Sequence, residues 1–315
     1  MRTVFLGTPE IAIPTLRAMA GSSEFRPVGV FTQPPARRSR RGRVESSPVG
    51  AAAAALELPV HEVESISKGE ALEALRELMP DVIVVVAFGQ ILKRVVLDLP
   101  KYGCLNFHPS LLPHYRGAAP IQRAVLEGVV NSGLTVMRLV KKLDAGPILL
   151  QKPWRMDPAK TADELLAEAG ELGAPMMLEV LRALEAGITA KDQDESGVTF
   201  APPLEKLDGE LSFNQSAQDV VNRIRAVQPW PKGEIWLNGD NNKYTRVLVH
   251  RAELQADAEP GQPGEVQAID KRGIVVACGS GSVCLTELQL EGKPRKPARD
   301  VANGLRLKPG ARFRV

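Results

Sequence analysis

Apolar and polar positions follow two different rhythms along this chain. Over residues 1–190, short apolar runs take turns with stretches of helical period. Thr3–Leu6, Val28–Phe31, Val82–Ala87 and Gly103–Phe107 are compact and apolar, the pattern of strands buried on both faces. Pro59–Val63 and Leu134–Val140 are further strand-like runs. Between them, Ile11–Met19, Ser47–Leu56, Gly69–Leu78, Ala118–Leu126 and Thr161–Ala186 read as helices. Ser47-Pro48 and Thr161…Glu164 are helix-start signals, the second a capping-box pattern. Strand–helix alternation predicts an α/β fold built on a doubly wound, mostly parallel sheet of Rossmann-like type.

After Gly187 the rhythm changes. Residues 191–207 are polar and contain Pro202-Pro203, which reads as a linker. One short helix, Asp219–Ala226, precedes the runs Glu234–Leu237, Thr245–Arg251, Gly264–Ala268, Gly273–Ala277 and Ser282–Leu290. Short runs separated by turn signals predict a small antiparallel barrel or sandwich, the expected form being an OB-like β-barrel. The expected organisation is therefore a domain over 1–190, a linker over 191–207 and a smaller domain over 208–315.

Composition narrows the class. Of 315 residues, 44% are apolar and 24% charged, ordinary for a globular chain. The longest apolar stretch, Val82–Phe88, is far shorter than the ~20 residues of a membrane helix. Residues 2–7 show no signal-peptide pattern, so a cytoplasmic protein without membrane association is expected. Three cysteines, Cys104, Cys278 and Cys284, suit neither a disulfide framework nor a zinc site.

Net charge is +3 and unevenly spread. Residues 1–207 are balanced, with 24 basic and 24 acidic side chains; residues 208–315 hold 16 and 13. Gly292–Val315 carries eight basic residues against Asp300 alone. Arg37, Arg38, Arg40, Arg41 and Arg43 place five arginines in seven positions. Such clusters suit a polyanion partner; a solvated loop and a solvated tail are the plainer alternatives.

Several chemistries have no motif here. The first strand ends in Gly7-Thr8-Pro9-Glu10 rather than G-x-G-x-x-G, and no G-x-x-x-x-G-K-[ST], H-E-x-x-H or G-x-S-x-G occurs. No nucleotide cofactor and no metal are expected. Polar chemistry concentrates instead in Asn106-Phe107-His108-Pro109. Two apart on a strand, Asn106 and His108 share a face, at a carboxyl end where open α/β sheets place ligands. An amide donor and an imidazole can hold an oxyanion and move a proton. The same pair also suits a turn cap and a packed histidine. Asp144 precedes a Gly-Pro turn in Leu143-Asp144-Ala145-Gly146-Pro147. It either satisfies its own turn or sets the charge of His108.

Asn106-Phe107-His108-Pro109-Ser110-Leu111-Leu112-Pro113, followed by Tyr115-Arg116-Gly117-Ala118-Ala119-Pro120-Ile121-Gln122, resembles the signature of the 10-formyltetrahydrofolate-dependent formyltransferases. Leu143-Asp144-Ala145-Gly146 is similar to that family's second motif. Phe31-Thr32-Gln33-Pro34, Val85–Leu92 and Pro229-Trp230-Pro231 resemble the branch that acts on methionyl initiator tRNA. The resemblance covers essentially the whole chain. It implies formyl transfer from the folate cosubstrate to the α-amino group of the methionyl-tRNA, by a monomer. It implies catalytic roles for Asn106, His108 and Asp144, folate contacts from Ser110, Leu111, Leu112 and Pro113, and tRNA contacts from Arg37, Arg38, Arg40, Arg41 and Arg43. Two other expectations stay open: a relative that formylates an amino-sugar nucleotide or a purine precursor, and an RNA-binding module with an inactive catalytic domain.

Overall fold

The structure is a computed structural model that describes residues 1–37, 44–238, 244–256 and 260–314. The chain forms two compact units, and each is assembled from separate stretches. The first comprises residues 1–117, 131–155 and 166–201, the second 118–130, 156–165 and 202–315. The expected linker starts at Lys191, yet residues 191–201 are built into the first unit. Lys191 exchanges backbone hydrogen bonds with Ile148 at 2.7 and 2.8 Å.

The first unit holds β1 (Thr3–Gly7), β2 (Pro27–Thr32), β3 (Ala36–Arg37), β4 (Val44–Glu45), β5 (Val60–Glu62), β6 (Val82–Val86), β7 (Cys104–His108), β8 (Asn131–Arg138) and β9 (Ile148–Arg155). The main sheet has the order β5-β2-β1-β6-β7-β8-β9. Its first five members run parallel, whereas β8 and β9 run antiparallel. Strand order reverses between β1 and β6, the switch point of a doubly wound sheet. β6 is Val-Ile-Val-Val-Val, buried throughout. Every side chain there is covered from one face or the other, and each contributes about 1.5–3 kcal/mol by leaving water. Ile83 and Val85 on β6 pack with Leu72 and Leu75 of a helix over Gly69–Glu77. On β7, Phe107 lies under Gly173, where an added Cβ would approach its ring to 2.5 Å.

The helices open as their sequences suggest. The Pro48–Ala55 helix starts at Ser47, whose hydroxyl accepts from the Gly50 N–H at 2.9 Å, with Pro48 in its first turn. The short strands β3 and β4 were not expected, nor were two further pieces. β9 carries Gln151, Lys152 and Pro153, which hide its strand character, and a four-residue helix spans Arg94–Leu97.

The second unit contains β10 (Gly233–Asn238), β11 (Tyr244–Gln255), β12 (Val266–Ile269), β13 (Ile274–Ala277), β14 (Ser282–Leu290) and β15 (Lys296–Pro297), paired antiparallel as β10-β11-β14-β13-β12 with β15 on β14. Near the C-terminus, Phe313 bridges Leu237 of β10 and Arg312 bridges Glu265 beside β12. Both ends of the strand series thus meet one segment, as in a small barrel. Val220 and Ile224 of the Ala217–Ala226 helix pack with Val247, Val249, Ile274 and Leu285. The basic stretch, for which a solvated tail was the plainer alternative, is folded: it supplies β15 and a helix over Ala298–Gly304, burying Ala298, Val301, Ala302 and Phe313. Arg295, Lys296, Arg299 and Lys308 remain exposed. Among the described residues no helix is long and apolar enough to cross a membrane.

Candidate active site

The site lies in the first unit, at the carboxyl end of β7. Hydrogen bonds fix that strand on both sides: Val85 pairs with Asn106 across β6, and Met137 and Thr135 pair with Asn106 and His108 across β8. Asn106 and His108 therefore stand on one face of the sheet. They are 9% and 4% exposed, which places two polar side chains where strands usually bury apolar ones. Pro109 ends the strand.

His108 Nε2 lies 2.9 Å from the Tyr115 carbonyl oxygen. A carbonyl can only accept, so Nε2 carries a hydrogen. Nδ1 is the ring nitrogen on the Asp144 side. Asp144 Oδ2 stands 3.7 Å from it, at ion-pair rather than hydrogen-bond distance. The same carboxylate oxygen accepts the Gly117 N–H at 2.8 Å. Residues 115–117 thus orient both partners, the ring through a carbonyl and the carboxylate through an amide. The Asn106 side-chain amide has no hydrogen-bond partner among the described residues. Its polar atoms are not among the buried ones left without a partner, so the amide reaches solvent at the site, and its N–H suits an incoming carbonyl oxygen.

The turn carrying Asp144 is tightly shaped. Asp144 has φ of 45°, a left-handed conformation that Asp adopts more readily than most residues. Two residues on, a Cβ at Gly146 would fall 1.7 Å from the Arg138 carbonyl oxygen. We expect Gly146→Ala to displace this turn and to lower any activity that needs Asp144. A crystal structure of the variant with the Asp144 carboxylate unmoved would refute that.

The family assignment follows from the sequence at this site and around it. Residues 1–181 match the model of the formyl transferase family, and residues 203–306 match its C-terminal domain. The chain belongs to the formyl transferase family. Similar curated proteins include the methionyl-tRNA formyltransferase of Geobacter sulfurreducens, 39% identical over 99% of this chain and 96% of that one. The methionyl-tRNA formyltransferase of Thermotoga maritima is 41% identical over 99% and 98%. Among solved structures, HypX from Aquifex aeolicus in complex with tetrahydrofolic acid superposes with a TM-score of 0.67 at 18% identity. It covers 98% of this chain, which spans 48% of that longer protein; at this identity the likeness concerns the fold.

In this formyl transferase the three expected catalytic side chains come together as Asn106 and His108 on β7 and Asp144 on the turn between β8 and β9. The expected folate segment is a hydrogen-bonded loop directly after His108. Ser110 Oγ donates to the His114 carbonyl at 2.6 Å. The Ser110 carbonyl accepts from Thr135 Oγ1 at 2.7 Å, and the Leu112 carbonyl accepts from Gln151 Nε2 at 2.8 Å. Leu112 is buried and Leu111 is partly exposed, so of the loop's two leucines Leu111 offers apolar surface. The structure places Arg37 on β3, whose backbone pairs with β4. Arg38, Arg40, Arg41 and Arg43 lie outside the described residues.

Sequence reasoning passed over the residues that hold this site. Thr135 is a fully buried hydroxyl in an apolar strand, and that incongruity was its signal. Gln193 and Glu195 fall in the expected linker, where no periodicity marks them. Arg116, quoted only within the motif, is 1% exposed. Its guanidinium bonds Glu195 at 2.9 Å. Hydrogen bonds from Lys142 and then Arg116 hold the Glu195 carboxyl below its ordinary value, so it is an anion opposite both cations. Among the described residues no group of three or more His, Cys, Asp and Glu side chains gathers as a metal site.

Proposed function

We propose that this chain transfers the formyl group of 10-formyltetrahydrofolate to the α-amino group of methionyl initiator tRNA. It would do so as a monomeric cytoplasmic enzyme. The full-length identity with the two methionyl-tRNA formyltransferases described above carries the choice of substrate. The unpartnered Asn106 amide beside a His108–Asp144 pair supports the chemistry.

The residues present fit the cosubstrate. Asn106 offers an amide donor for a formyl oxygen, and Leu111 of the loop that follows His108 offers exposed apolar surface. When bound, 10-formyltetrahydrofolate supplies an activated one-carbon group. As the new C–N bond forms, negative charge grows on the formyl oxygen and the attacking amine must lose a proton. Asn106 donates to that oxygen, and protonated His108 stabilises the charge on it. Donors fixed before the reaction cost no reorganisation when charge appears. Asp144, facing Nδ1, keeps the imidazole oriented and compensates its positive charge. The formyl carbon leaves N10, which gains a proton in exchange for the one lost by the amine. Arg37, Arg38, Arg40, Arg41 and Arg43 would contact tRNA phosphates, and Ser110–Pro113 would border the folate.

Steady-state transfer from 10-formyltetrahydrofolate to three acceptors tests the substrate: methionyl initiator tRNA, methionyl elongator tRNA and an amino-sugar nucleotide. Initiator tRNA should have the highest kcat/KM. A preference for the amino sugar would replace this proposal with the amino-sugar alternative.

A further inference from the structure

Behind the Asp144 turn sits one side-chain amide whose every hydrogen and lone pair is engaged. Gln193 Nε2 donates to the carbonyls of Asp144 and Gly146, both at 2.8 Å. Gln193 Oε1 accepts from Arg116 Nε at 3.0 Å and Nη2 at 2.7 Å. Carbonyls only accept and a guanidinium only donates, so the amide's orientation is fixed by its partners. Gln193 therefore clamps the turn at the very residue that presents its carboxylate to His108, and at the glycine with no space for a side chain. Arg116 holds the clamp. It is anchored in turn by Glu195, whose second oxygen binds Lys142 at 2.5 Å. Lys142 lies on the same turn, which is thus held at three points.

Asp144 needs such support. Its left-handed backbone costs energy unless the surroundings over-determine it. Its carboxylate stands 3.7 Å from His108 Nδ1, so a small rotation of the turn changes the interaction. Arg116 also links the two halves of the site through the chain. Its neighbours Tyr115 and Gly117 hold the imidazole and the carboxylate, while its side chain holds Gln193.

We propose that Gln193, gripped by Arg116, is a positioning residue that sets the Asp144 carboxylate against His108. The role rests on the formyl-transfer reading above. It belongs to a segment the chain uses as a strut rather than a linker.

Gln193→Glu keeps the oxygen that Arg116 binds but turns an oxygen toward the Asp144 and Gly146 carbonyls. Gln193→Met removes these four bonds, and the contact of Nε2 with the Met137 sulfur, at similar side-chain length. Each should lower kcat by about tenfold to a hundredfold, the scale of a misplacement near 1 Å, with the KM for the folate little changed. In an Asp144→Asn background the further loss should stay within about twofold, since a group acting through Asp144 has nothing left to position. NMR of the full-length proteins gives a readout that needs no substrate. The His108 ring signals, assigned with His108→Ala, should move in Gln193→Glu toward their place in Asp144→Asn. Unchanged ring signals, a wild-type kcat, or losses that multiply in full with Asp144→Asn would each overturn the proposal. Thermal midpoints show whether Gln193→Met folds; Gln193→Glu, which retains the Arg116 contacts, carries the test if it does not. A wild-type protein inactive on methionyl-tRNA, with the ring shift present, would sink the substrate assignment and leave the positioning role supported.

Discussion

Replacing Asn106, His108 or Asp144 by alanine is expected to reduce turnover by about 10²–10³-fold each, the usual cost of one preorganised donor. Stability should fall by only about 1 kcal/mol, the centre of the distribution for point mutants. The contrast follows from geometry. The Asn106 amide has no partner among the described residues, so its removal breaks no internal bond. His108 loses one bond to a carbonyl, and Asp144 loses one from Gly117. Neither loss opens a large apolar cavity. Asp144→Asn should fall between wild type and Asp144→Ala, because an amide oxygen can still take the Gly117 N–H but brings no charge to His108. The checks are kcat with both substrates saturating and a denaturation midpoint for each variant. A variant that keeps more than about a tenth of wild-type turnover, against the expected 10²–10³-fold loss, removes that residue from the catalytic set.

Changing Arg37, Arg38, Arg40, Arg41 and Arg43 together to serine should raise the KM for tRNA steeply and leave folate binding intact. Each arginine that neutralises a phosphate releases counterions, so affinity falls with salt in proportion to the number of phosphates neutralised. Removal of all five should flatten the slope of log affinity against log salt by roughly 0.7 for each phosphate no longer neutralised, the single-strand value. Measured tRNA binding across a salt series, beside folate binding, separates this from a general loss of fold. An unaltered KM and an unaltered slope would make the cluster a solvated loop only.

Much of the scaffold was legible in the residues because burial writes itself into short apolar runs. β6, five β-branched residues buried from end to end, is the clearest case, and β7 follows from Cys104-Leu105 with Phe107. Strand direction leaves no such mark: the apolar faces of β8 are the same whether it runs with β7 or against it. β9 was hidden because its middle is Gln151-Lys152-Pro153, a polar run with a proline that suits the edge of a sheet. The basic C-terminal stretch was hidden by its charge. Its anchors are the small residues Ala298, Val301 and Ala302, whose burial the surrounding lysines and arginines obscure.

The site divides the same way. Asn106 and His108 stood out because polar residues at an apolar strand end call for a reason. Asp144 was flagged by its Gly-Pro turn and by the family motif. Gln193 left no signal. Its meaning comes from being within 3.0 Å of Arg116, 77 positions earlier in the chain, and only the folded chain makes that proximity.

The most direct measurement is a single-turnover transfer of labelled formyl from 10-formyltetrahydrofolate to methionyl initiator tRNA, with enzyme in excess and both substrates prebound. Wild type and His108→Ala are run side by side. Label should appear on the α-amino group of the methionine, about 10²-fold more slowly or worse with His108→Ala. Equal rates for the two proteins, or no label on the tRNA from wild type, would contradict the proposed mechanism.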